Sequence, residues 1–308
     1  RHPILRTSFI WEGLSAPVQL VHRTGHLFWT DMDWRNDQGD SKSRLKRLVE
    51  DDVTRGIDIS APSLQRFMLI RESEDHYEFI WTHHHLYLDG WSMAIIVKEI
   101  IEVYLSDWVT INPRAPPPLY SKFIRWITKQ ANADNGDAEK YWRARLAGFA
   151  APTSVPMAKA TLAEIGPSAA TTVDKQIMSL SGDESRVVSS FAKKHHFTLH
   201  TLVEAAWALL LAIHSREDDV VFGSTVSGRA TPTFAGIDMI VGMTINSLPV
   251  RVKIDRTMKV HSWLKSIQKA NFETSQYEHT ALAQVQSYSE IPKGTSLFDT
   301  IVVFENYP

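Results

Sequence analysis

The apolar residues of this chain switch repeatedly between a period of two and a period near 3.6, and the switches predict alternating strands and helices. The clearest switch lies at residues 77–104. Phe79 and Trp81 alternate with Glu78 and Thr82 around Ile80, a strand pattern that runs into His83-His84-His85. Met93, Ile96, Val97, Ile100, Ile101 and Tyr104 then share one helical stripe, with Lys98, Glu99 and Glu102 outside it and Ser92 as the expected N-cap. Three histidines therefore fall where a strand ends and turns through Asp89-Gly90 into a helix. If the strand period continued through them, His83 and His85 would share one face and His84 the other.

The same reading orders the rest of the chain. Residues 1–9 predict a helix end passing into a strand, 18–21 a short strand, and Leu45, Leu48 and Val49 an amphipathic helix stopping near Gly56. Residues 27–34 mix apolar and acidic side chains without a clear period. Residues 66–71 and 78–83 predict paired strands. Past the central helix, 112–118 (NPRAPPP) is a stiff connector. Two helices follow, through Tyr120, Phe123, Trp126 and through Tyr141, Trp142, whose aromatics are expected in the core. Residues 150–170 lose pattern in a run rich in Ala, Pro, Ser and Thr. This predicts a boundary between an N-terminal lobe, 1–160, and a C-terminal lobe, 161–308. Beyond it, Ser181-Gly182-Asp183-Glu184 is a capping box and Thr198 caps a second helix. Strands are expected at 220–226, 245–252 and 297–304, with a helix through Val260, Trp263 and Ile267. Pro249 places the second of these strands at an edge or bulge. Strands and helices intermix in both halves, so the class is α/β with two lobes.

Composition adds mainly exclusions. The chain has 308 residues, 44% of them hydrophobic, which is core material for one large or two medium domains. A net charge of −2 argues against nucleic acid or a membrane surface as partner. No apolar run reaches the twenty or so residues of a membrane span. The absence of cysteine excludes disulfides, thiolate zinc sites and a cysteine nucleophile, and fits a reducing cytoplasm.

The histidine turn is the candidate for chemistry. A lone histidine is usually structural or solvated, but three in a row before Asp89-Gly90-Trp91-Ser92 call for more. Zinc needs three or four converging ligands. Neighbouring strand residues diverge, and no cysteine or helical His-x-x-x-His completes a set, so no metal is expected there. The remaining role is a histidine titrating near neutrality that moves a proton in acyl or similar transfer.

The order of several motifs resembles the condensation domains of nonribosomal peptide synthetases, in the chloramphenicol-acetyltransferase-like superfamily. Arg1-His2-Pro3-Ile4-Leu5-Arg6-Thr7-Ser8-Phe9 resembles RHxxLRTxF, and His84 to Ser92 resembles HHxxxDGWS. Residues 120–126 resemble an aromatic YxxxxxW segment, and Val241 to Arg251 the VGxxxNxLPxR signature; 277–282 and 296–300 correspond more loosely. The family's first motif has no counterpart ahead of Arg1, so both lobes are expected to be incomplete.

The resemblance implies two chloramphenicol-acetyltransferase-like lobes in a V-shaped pseudo-dimer with a central channel. It implies attack of a carrier-bound α-amine on an upstream carrier-bound thioester, forming an amide. A thioester is already activated, so no nucleophilic side chain is required; positioning and proton removal remain. By motif position His85 is the catalytic histidine and His84 its support, while His83 lies outside the motif. Gly90 leaves space for the amine and its arm. Asp89 is expected to be structural, paired with Arg6 as the family's equivalent residues are. Trp91, Ser92, Ser224, Ser227 and Asn246 are candidate substrate contacts. No cofactor is expected on the domain itself; phosphopantetheine arrives on upstream donor and downstream acceptor carrier domains, beside an adenylation domain. The competing expectations are a sister epimerisation activity and a non-catalytic domain that docks a carrier or recruits another enzyme.

Overall fold

Asp40 closes the polar break after Trp34, and its carboxylate accepts the backbone N–H groups of Lys42 and Ser43 to start helix α1 (Ser41–Arg55). Gly56, at φ 64°, ends the helix by donating back to the Val53 carbonyl. The computed structural model describes residues 1–36, 39–106, 116–133, 136–155, 175–229 and 234–305. They divide into two compact units, one containing Arg1–Trp126 and Phe234–Thr244, the other Ile127–Thr233 and Ile245–Asn306.

In the first unit a 3-10 turn (Pro3–Arg6) leads into β1 (Thr7–Ile10), which pairs antiparallel with β2 (Val18–Val21). A three-stranded sheet holds β3 (Phe28–Asp33), β4 (Gln65–Arg71) and β5 (Tyr77–His83) in that order. β3 runs parallel to β4, so α1 is the crossover helix of a βαβ unit. β3 shows no period in the sequence because it is exposed along nearly its whole length. The crossover is pinned by Arg66, whose Nε donates to Asp52 Oδ1 at 2.9 Å and whose Nη1 caps the Gly56 carbonyl at 2.6 Å. Helices α2 (Gly90–Leu105) and the first half of α3 (Tyr120–Ala133) complete this unit. Its core is Ile4, Leu64, Tyr87, Leu88, Ile96 and Val241.

In the second unit β6 (Asp219–Val226) lies between β7 (Asn246–Lys253) and β8 (Ile301–Val302). Val220 and Phe222 point into one cluster with Ala205, Ala208, Leu211 and Trp263, while Val221 joins Trp142, Leu146, Leu248 and Leu297 on the other. Burial on both faces is why 220–224 read as an unbroken run rather than an alternation. Of the edge or bulge expected for Pro249, the structure shows an edge strand, because β7 has one neighbour among the described residues. It faces Gly223, where a Cβ would overlap the Phe298 ring. The helices are α4 (Asp137–Leu146), α5 (Gly182–His195, opened by the Ser181–Glu184 capping box), α6 (Leu199–Ser215), α7 (Val260–Ser275) and α8 (Leu282–Ser287).

Two expectations change. The last strand shrinks from 297–304 to Ile301–Val302, because Leu297 and Phe298 both pack against one core cluster, which a pleated strand forbids. The division of the chain also differs from 1–160 and 161–308. Residue 160 lies outside the described residues, but Trp142, Leu146 and Phe149 pack with Val221 and Leu248, so 127–155 group with the second unit. Residues 234–244 group with the first.

The second unit also buries a carboxylate. Glu204 of α6 is 1% exposed, with Oε1 3.1 Å from His200 Nε2 and Oε2 accepting from Asn271 of α7. Burial pushes this carboxyl up, but the His200 imidazole beside it and the Asn271 amide outweigh that and leave the group below its ordinary value. With the folded pKa below the unfolded value of about 4.3, the ionised group contributes stability above that pH, lost as pH falls through the folded pKa. Glu204→Gln should therefore lower the melting temperature at pH 7, and the gap to wild type should close as the pH is lowered below about 4.3. A gap that stays constant across that titration would contradict this account.

Candidate functional site

The strand leading into the histidines stops at His83, so the period of two does not continue. His84 turns the chain. Its backbone N–H donates to the Leu64 carbonyl at 3.0 Å, and its Nδ1 accepts from the Leu86 N–H at 3.0 Å. An accepting Nδ1 places the proton of the neutral ring on Nε2. Tyr87 and Leu88 then enter the core at 1% and 0% exposure, with the Tyr87 hydroxyl donating to Gln65 Oε1. Between these anchors His85 stands exposed on the turn, and no described residue hydrogen-bonds its ring. His83 is half-buried against Trp81 and Tyr87. Burial, with the neighbouring His85 and His84, lowers its pKa, so it is neutral at pH 7. Of the three, His85 is the imidazole available to solvent and reactants.

The helix after the turn is capped by Asp89, not by the expected Ser92. Asp89 is 1% exposed, and its Oδ1 accepts from the Ser92 N–H at 2.8 Å and the Ser92 hydroxyl at 2.6 Å. Its Oδ2 accepts from the backbone N–H and the hydroxyl of Thr244, both at 3.0 Å. Ser92 Oγ lies 3.0 Å from the Gly242 carbonyl and accepts from the Gly242 N–H at 3.0 Å. Trp91 Nε1 donates to the Asp238 carbonyl, and the Tyr120 hydroxyl to the Met243 carbonyl at 2.7 Å. Thus the helix start and the 238–244 segment are held together within the first unit. A Cβ on Gly242 would overlap the Tyr120 ring, so this contact needs glycine.

The Asp89 carboxylate is held by Ser92 and Thr244, not by the expected Arg6. The Arg6 guanidinium donates to the His22 carbonyl at 3.3 Å and makes no bond to Asp89. The N-terminal motif reaches α2 through a different residue. His2, 8% exposed, meets Glu99 Oε2 at 2.7 Å, and Arg1 Nε meets Glu99 Oε1 at 2.9 Å. Burial lowers the His2 pKa while Glu99 opposes that shift.

Several candidate substrate contacts are turned inward. Ser92 is 0% exposed and held by Asp89 and Gly242. Ser224 is 2% exposed, 3.1 Å from His200 Nε2. Asn246 donates both amide hydrogens to the Glu278 and Thr280 carbonyls, at 2.8 and 2.7 Å, and so ties the VGxxxNxLPxR segment to the Tyr277-Glu278-His279-Thr280 turn. Their polar atoms are already engaged, which removes them as donors to a substrate. Trp91 is half-buried, Gly90 opens α2, and Ser227 is exposed with its hydroxyl accepting from the Arg229 N–H. Thr244, Gly242 and Glu99 were not singled out in the sequence. Thr244 and Gly242 stood inside a motif already noted, but nothing local announced what they bind.

A family model for the condensation domain matches residues 1–308. One linear gramicidin synthase polypeptide of Brevibacillus parabrevis is 41% identical over 310 residues, covering 100% of this chain and 6% of that protein. Bacitracin synthase 3 of Bacillus licheniformis is 31% identical over 312 residues, covering 100% of this chain and 5% of the relative. This chain therefore spans a small part of the curated relatives it matches. Among solved structures, the first condensation domain of the calcium-dependent antibiotic synthetase superposes with a TM-score of 0.77 at 17% identity, covering 100% of this chain and 70% of that one. The starter condensation domain of rhizomide synthetase superposes with a TM-score of 0.78 at 19% identity, covering 98% and 66%.

Removing the Asp89 carboxylate should cost stability on two counts. The cap itself is worth roughly 0.5–2 kcal/mol, and each buried donor left without an acceptor costs about 1–3 kcal/mol. Asp89→Ala is expected to destabilise the chain by several kcal/mol and Asp89→Asn by less, in denaturant unfolding. A double-mutant cycle with Thr244→Val should show coupling of about 0.5–3 kcal/mol, while Arg6→Ala should combine with Asp89→Ala additively. Coupling to Arg6 without coupling to Thr244 would reverse the assignment.

Proposed function

The chain belongs to the condensation-domain family, and we infer that it forms an amide bond between two carrier-bound substrates of a nonribosomal peptide synthetase. The upstream carrier brings an acyl or peptidyl thioester, the downstream carrier an aminoacyl group, each on a phosphopantetheine arm. The acceptor α-amine attacks the thioester carbonyl, the N–C bond forms, and the adduct collapses with cleavage of the C–S bond. The proton lost by the amine nitrogen passes to His85, and the departing sulfur leaves as a thiol after protonation. An α-amine has a free pKa of about 7.7–8.0, so modest desolvation is enough to keep it nucleophilic. His85 carries the imidazole of the turn that is open to solvent, which supports this role. The observation that carries this reading is its exposure on a turn that His84, Tyr87 and Asp89 hold on both sides.

Asp89 acts through position. With its carboxylate engaged by Ser92 and Thr244, it fixes where α2 begins and hence where His85 stands. It neither contacts the reacting atoms nor orients the imidazole by a direct bond. The adjoining carrier and adenylation domains supply the substrates, and a cysteine-free chain suits a synthetase of the reducing cytoplasm.

The test uses the synthetase containing this chain, with donor and acceptor carriers loaded and single-turnover product read by mass spectrometry. His85→Ala should slow dipeptide formation by about 10²–10⁴-fold with carrier affinity unchanged, and His83→Ala should change the rate by no more than a few-fold. Solvent deuterium at Cα without dipeptide would make this an epimerisation domain. Carrier binding with neither product would make it a recruitment domain. Either outcome sinks the proposal.

A further inference from the structure

The hairpin joining β4 to β5 lies in the first unit and is tied at its neck by the Glu72 N–H donating to the His76 carbonyl at 2.9 Å. Pairing of Ile70 with Glu78 puts Glu72, His76 and Glu78 on one face of the hairpin, by the period-two rule. Their side chains converge. His76 Nε2 is 3.4 Å from Glu72 Oε2 and 3.7 Å from Glu78 Oε1, and one ligand atom from each residue lies within 4.8 Å of the other two. Tetrahedral ligands at zinc–nitrogen and zinc–oxygen distances of about 2.0–2.2 Å stand about 3.4 Å apart. The imidazole spacings are close to that edge length.

Charge supplies a second reason. Two carboxylates are gathered here with no lysine or arginine on either of them among the described residues. Two of the neighbouring arginines have other carboxylate partners. Arg71 pairs with Glu74 and lies over the Tyr77 ring, and Arg35 bridges Asp33 and Glu74. With the imidazole neutral, no cationic side chain touches either carboxylate, and a cation at their centre is attracted by both. Glu72 is the least exposed of the three, its side chain at 19%, so one ligand is partly fixed before any ion arrives. Glu72 and His76 also line a cleft of about 820 Å³ that carries Arg35, Arg44 and Arg47. That positive charge opposes a bare cation and weakens its binding.

We propose that Glu72, His76 and Glu78 form a surface site for a first-row divalent cation, zinc foremost, away from the histidine turn. One imidazole and two carboxylates suit zinc, and three protein ligands leave a position for water or another ligand. No catalytic step is assigned to it.

Calorimetric titration of the chain, freed of any affinity tag and in a buffer that does not chelate metal, should show saturable binding of one zinc ion. His76→Ala should weaken binding by roughly tenfold or more, and Glu72→Gln with Glu78→Gln should do likewise. Cobalt(II) bound in place of zinc should give the visible absorption of a tetrahedral site, lost in His76→Ala. All three positions are on the hairpin surface, and circular dichroism should show each variant folded. Absence of saturable zinc binding would overturn the proposal. So would binding that survives His76→Ala but disappears when His84 and His85 are replaced, which would place the ion at the histidine turn.

Discussion

The buried carboxylate of Asp89 is the constraint on which the histidine turn depends. A carboxylate at 1% exposure is costly unless its acceptor sites are filled. Here they are filled by groups from two distant parts of the chain: Ser92 at the start of α2, and Thr244, 155 residues away. One of these bonds satisfies the Ser92 N–H, which the first turn of the helix otherwise leaves open, and the two from Thr244 hold the 238–244 segment against it. Because so many bonds share one side chain, the position of α2 and the position of that segment are set together.

This arrangement explains how an exposed histidine acquires a defined place. His85 has no hydrogen bond of its own to a described residue, and its order comes from both sides. Ahead of it, His84 ties the chain to Leu64 and to Leu86. Behind it, Tyr87 and Leu88 are sealed in the core with Ile4, Leu64 and Ile96, and Asp89 locks the helix. A proton acceptor is most useful when its ring nitrogens are open to a reactant and the backbone beneath them is rigid. The two requirements are met by different residues.

The other sequence motifs prove to be mainly structural clasps. His2 ties the N-terminal motif to Glu99 of α2, and Asn246 ties the VGxxxNxLPxR segment to the carbonyls of Glu278 and Thr280. The serines offered as substrate contacts, Ser92 and Ser224, face inward for the same reason: a buried hydroxyl must find a partner inside the protein. Motif order thus identified the family well, while the roles within each motif followed from burial.

What the sequence determined by itself was local. Periodicity placed β4, β5, α1, α2 and the helices α4 to α7 of the second unit, though not α8, a capping box opened α5, and Pro249 marked an edge or bulge; each depends on neighbours a few residues apart. The motifs pointed to His85 and to a structural Asp89. The tertiary structure decided the rest. It chose Ser92 and Thr244 over Arg6 as partners of Asp89, turned the chain at His84 instead of carrying the strand period through His85, and paired the exposed β3 in parallel with β4. It also grouped 127–155 with the second unit through Trp142 and Leu146. The physical reason is common to all four. A linear pattern records how much of a segment is to be buried and with what period. Which of several competing donors, strands or cores completes that burial is settled by residues tens to more than a hundred positions away.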